Sequence, residues 1–126
     1  MTLGFLFRLA YNSGFLCKFA GRKRIKDMVK HTVLFQLRAD LEPQQKTEVM
    51  ECFRKGIMEL PAQIACIRRI EVGFNINPEE KFDIALCGEF DTLADVDAYA
   101  RHPLHVAVAA QLKPYVSARS CTDYEI

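Results

Sequence analysis

Val29-Lys30-His31-Thr32-Val33-Leu34-Phe35-Gln36-Leu37-Arg38 alternates along its length. His31, Val33, Phe35 and Leu37 fall on one side of an extended chain, and Thr32, Leu34, Gln36 and Arg38 on the other. Successive side chains of a strand point to opposite faces, so a period of two with one strongly apolar side marks a strand laid over a core. His31 belongs to the apolar side, which puts an imidazole where the sheet meets whatever covers it. Asp40 to Glu42 lead into Pro43, which suits a first helical turn because its missing N–H has no partner there in any case. Val49, Phe53, Ile57 and Leu60 then make one apolar helical stripe, which Pro61 is expected to stop.

β-Branched residues return from Ile64 to Phe74, followed by turn chemistry from Asn75 to Pro78. Phe82, Ile84, Leu86, Gly88 and Phe90 make the next alternating face. Thr92 with Asp95 resembles a capping box, with Asp in place of Glu, ahead of Leu93, Val96 and Tyr99. Pro103 cannot donate an intrahelical bond and disfavours helical geometry at His102, so this helix should break there and resume from Leu104 to about Lys113. Ala118 to Ile126 reads as a last strand. The order β-α-β-β-α-β predicts an α+β, ferredoxin-like protomer with an antiparallel sheet and two helices on one face. Leu34, Ala85, Cys87 and Cys121 are expected on the uncovered face, which a sheet-to-sheet homodimer would bury.

At 126 residues, half of them apolar, the chain is sized for one domain. Residues 1–27 hold six basic groups and one acid, leaving 11 basic and 15 acidic residues in 28–126, a formal −4. That body has no electrostatic footprint for nucleic acid. The apolar residues of 1–27 are interrupted by Arg8, Asn12 and Lys18 and fall short of a membrane span. Residues 1–27 are therefore read as an extension outside a 28–126 domain: an amphipathic or targeting segment, or upstream translation. Five scattered cysteines, with no Cys-x-x-Cys, fit free thiols in a reducing, cytoplasmic setting.

Tyr99-Ala-Arg-His-Pro-Leu-His105 gathers a phenol and two imidazoles in seven positions. These groups donate or move protons near neutral pH. A three-histidine metal site of His31, His102 and His105 is disfavoured by the intervening Pro103 and by the lack of a carboxylate or cysteine at ligand spacing, so no metal is expected.

Met28-Val-Lys-His-Thr-Val-Leu-Phe and Tyr99-Ala-Arg-His-Pro-Leu-His-Val together resemble the stress-responsive A/B barrel (Dabb) family over about residues 28–126. The resemblance implies a ferredoxin-like protomer that pairs into a dimeric α+β barrel, a link to stress responses, and a pocket for an unidentified small molecule. A plant relative of that family, olivetolic acid cyclase, performs a cofactor-free aldol condensation with a tyrosine and a histidine. By that likeness His105, Tyr99 and His31 are the catalytic candidates, with His102 and Phe35 expected to contact substrate. The implied activity is cyclase or lyase chemistry on a β-dicarbonyl or polyketide-like compound, without cofactor.

Two other classes compete. One is a non-catalytic structural or interaction protein with packed histidines, and the other a cofactor-free monooxygenase. Burial separates the first from a functional site: a working pocket leaves His105 and Tyr99 on one cavity, whereas a packed site fills that space with Phe35, Phe53 or Phe90.

Overall fold

The computed structural model describes residues 27–126, so the expectation for residues 1–27 lies, Asp27 apart, outside the described residues. Strands β1 (Val29–Leu37), β2 (Arg69–Phe74), β3 (Ile84–Phe90) and β4 (Val116–Glu125) form one antiparallel sheet in the order β2-β3-β1-β4. Helix α1 (Pro43–Met58) packs on β2, and α2 (Leu93–Arg101) packs on β1 and β3. Helix α3 (Pro103–Leu112) packs against α1 and α2. The expected element order and the ferredoxin-like fold are present. Among the described residues no helix is long and apolar enough to cross a membrane.

The core follows from alternation meeting helical stripes. Val29, Val33 and Leu37 of β1 and Ile84, Leu86 and Phe90 of β3 are buried, as are Phe53 and Ile57 of α1 and Val96 and Tyr99 of α2. Gly88 of β3 is required by close approach. A Cβ there would stand 2.9 Å from Cε2 of Phe90, whose ring is fully buried.

Element boundaries depart from expectation for local reasons. The run from Ile64 enters the sheet only at Arg69. Before that, a 3-10 turn (Leu60–Ala62) and the bonds Ile64 N–H to Leu60 O (2.8 Å) and Ile67 N–H to Ile64 O (3.2 Å) coil the chain. Ile64 and Ile67 are still buried, so their branched side chains serve the core without joining a ladder. Helix α1 ends at Met58, and Pro61 lies inside the 3-10 turn that follows. At the sheet's end Asp83 accepts the Leu37 N–H at 2.7 Å and pairs with Lys46 Nζ at 2.7 Å, tying β1, α1 and the 75–83 loop together. The break at Pro103 falls as expected. His102 is extended (φ −61°, ψ 133°), and its Nδ1 accepts the Leu104 N–H at 3.2 Å. Thr92 Oγ1 likewise caps α2 by accepting the Asp95 N–H at 3.1 Å.

The expected face of Cys121 is corrected. Cys121 pairs with Val33, Asp123 with His31 and Arg119 with Phe35, and paired residues of an antiparallel ladder share a face. All three therefore stand on the helix-covered side. The register shifts between Gln36 and Leu37, where Ser117 is the extra residue and its Oγ donates to Leu37 O and Gln36 O. That bulge brings Val116 and Arg119 to the same face although they are three positions apart. Strand β4 is polar on both sides, so its sequence carries no apolar signal of which side is covered.

Candidate functional site

The break at His102 turns α3 so that His105, near its start, lies over Tyr99 at the end of α2. Their ring centroids are 4.3 Å apart, tilted by 48°. Tyr99 also meets Phe90 at 5.1 Å and the edge of His31 at 6.1 Å. The two consecutive helices and the sequence-distant strand β1 thus bring Tyr99, His105 and His31 together on one cavity of about 270 Å³. Phe35 and Phe53 form part of its wall, in edge contact with each other at 5.4 Å, and leave the space open. Phe90 lies behind Tyr99. His102 caps α3 and is not among the residues lining this cavity.

Hydrogen bonding fixes which ring nitrogens can act. His105 Nδ1 lies 2.9 Å from the carbonyl of Ala100, which can only accept, so Nδ1 carries the proton and Nε2 keeps its lone pair. Burial lowers the pKa of His105 below the ordinary imidazole value; its bond to the Ala100 carbonyl opposes this, and the positive charge of Arg119 adds to the lowering. A neutral imidazole with a free Nε2 has the form a general base needs. The Tyr99 hydroxyl is buried and has no hydrogen-bond partner among the described residues. Desolvation raises its pKa, keeping it a phenol that can donate. A buried hydroxyl without a partner costs free energy unless something in the cavity satisfies it.

His31 Nδ1 donates to Asp123 Oδ1 at 2.5 Å, and Cys121 Sγ lies 3.7 Å from the same nitrogen. The potential ligand atoms of His31, Cys121 and Asp123 lie within 4.8 Å of one another, close enough to share a small cation, although a metal at Nδ1 would displace the proton that His31 donates to Asp123. The three histidines themselves are committed to three separate partners at Nδ1: Asp123, the Leu104 N–H and the Ala100 carbonyl. Asp123, like Arg119 on the cavity lining, is a residue the sequence reading did not single out. Alternation groups the two on one side of β4, and only the ladder shows that this side faces the helices.

The stress responsive A/B barrel domain profile matches residues 29–126. A dimeric protein of ferredoxin-like fold from Bacteroides fragilis is 52% identical, with a TM-score of 0.77, over 79% of this chain and 96% of its own. A Dabb family protein from Mesorhizobium loti is 25% identical, with a TM-score of 0.60, over 79% of this chain and 96% of its own. Hydroxynitrile lyase from Passiflora edulis shares the fold at 17% identity and a TM-score of 0.63, over 79% of this chain and 93% of its own. No curated protein matches the chain.

Proposed function

The chain belongs to the stress responsive A/B barrel domain family, and from that premise we propose that it binds a small molecule in the Tyr99–His105 cavity and acts on it by proton transfer. The observation that carries this reading is the buried Tyr99 hydroxyl, unpartnered beside an imidazole with a free Nε2. His105 Nε2 takes a proton from a carbon next to a carbonyl, and the electron pair moves onto the carbonyl oxygen. Tyr99 O–H donates to that oxygen as charge develops. In the cyclase direction the carbanion forms a carbon–carbon bond to a second carbonyl of the same molecule, and the proton held by His105 passes to the new alkoxide. The lyase direction runs these steps backwards. His31, held by Asp123, packs against Tyr99 and keeps the phenol in place. Phe35 and Phe53 supply apolar contact. His102 caps α3 and so sets where His105 stands, as a positioning residue. The functional unit is proposed to be a homodimer through the sheet face bearing Leu34, Ala85 and Cys87, a reading supported by the dimeric Bacteroides fragilis protein.

Ligand-observed NMR with 1-phenylbutane-1,3-dione and aromatic ketones tests the site. Binding to the wild type that weakens in His105→Ala and Tyr99→Phe is the expected result. Binding unaffected by both substitutions moves the ligand site elsewhere, and no binding favours a structural protein with packed histidines.

A further inference from the structure

We infer that the ligand of this cavity is an organic acid, its carboxylate held by Arg119 and Lys113 and its apolar body running inward to Tyr99 and His105. This rests on the small-molecule reading above and names the class of molecule. Most of the wall is hydrocarbon, from Val33, Phe35, Phe53, Leu86 and Leu112, yet Lys113 and Arg119 also line it. Among the described residues, Arg38, Arg54, Arg68, Arg69 and Arg101 each pair with a carboxylate. Arg119 is the described arginine without such a partner, and it is the one on the cavity. Lys113 likewise has no ion pair among the described residues.

The backbone aims Arg119 there. Ser117 is the inserted residue of the bulge, and beyond it Arg119 pairs with Phe35 on the helix-covered face. A planar guanidinium receives a carboxylate through two parallel N–H bonds, and an ammonium beside it adds charge without geometric demand. Four residues back along β1, or roughly 13 Å, the cavity wall carries His31, whose Nδ1 is already taken by Asp123 outside the lining and offers a second anion nothing there. One end therefore suits a carboxylate and the other a carbonyl facing the unpartnered Tyr99 hydroxyl. The molecule that fits is a monocyclic aromatic or short aliphatic acid with a ketone remote from the carboxylate.

The full chain is titrated with 4-butanoylbenzoate and with its uncharged primary amide, followed by ligand-observed NMR and calorimetry, in the wild type, Arg119→Met and Arg119→Met/Lys113→Met. The acid is expected to bind at least about tenfold more tightly than the amide in the wild type. The double variant is expected to bind the acid no better than the amide, with an unchanged melting temperature. Equal binding of acid and amide to the wild type, or an acid preference that survives in the double variant, overturns the carboxylate assignment and leaves the cavity reading intact. Binding of neither probe overturns both.

Discussion

His31 and Asp123 meet across the β1–β4 ladder, Nδ1 to Oδ1 at 2.5 Å, joining residues 92 positions apart. The carboxylate selects the tautomer with the proton on Nδ1 and holds the ring edge-on to Tyr99. Replacing Asp123 with Ala should give a mixture of His31 tautomers by nitrogen-detected NMR, where the wild type shows one. Because the Asp123 side chain is 30% exposed, the stability loss should be at most about 1 kcal/mol in chemical denaturation. A single unchanged tautomer would mean that Asp123 does not orient the ring.

Tyr99→Phe separates function from stability. The hydroxyl is buried without a partner, so its removal should leave the ligand-free protein as stable as before or more stable by up to about 1 kcal/mol, while ligand affinity falls. Urea denaturation checks the first half and the diketone titration the second. A loss of several kcal/mol would show that the hydroxyl has a structural partner.

Gly88→Ala should destabilise the protein by about 1–3 kcal/mol, because the added methyl meets the fully buried Phe90 ring at 2.9 Å. Phe90 supports Tyr99 at 5.1 Å, so the same substitution should shift the Tyr99 ring resonances. A neutral melting curve with unmoved Tyr99 signals would show that Phe90 has room to yield.

The pH dependence of His105 has a definite sign. Its pKa in the folded protein lies below the ordinary 6.5, chiefly through burial. The unfolded chain therefore binds the proton more readily, and the stability contributed by neutral His105 is complete above pH 6.5 and lost as pH falls through the lowered folded value. An NMR titration of the His105 ring should give a midpoint below 6.5, and Arg119→Met should move it upward by removing one positive neighbour. A midpoint at or above 6.5 in the wild type would contradict this environment.

Much of the fold was legible because each covered element advertises its covered side. The alternation of Val29 to Leu37 put His31 on the core face, the stripe of α1 put Phe53 and Ile57 inside, and Pro103 marked the turn that carries His105 back over Tyr99. Hydrophobic period and backbone chemistry are local, so the sequence by itself determined these elements and three of the rings at the cavity. The parity of β4 was not legible. Its residues are polar on both sides, and which side meets the helices depends on the ladder with β1 and on the inserted Ser117. Only the tertiary structure decided that Asp123 orients His31, that Cys121 lies beside that ring, and that Arg119 stands on the cavity without an ion pair among the described residues. These are long-range pairings, and no local periodicity encodes which residue of one strand faces which residue of another.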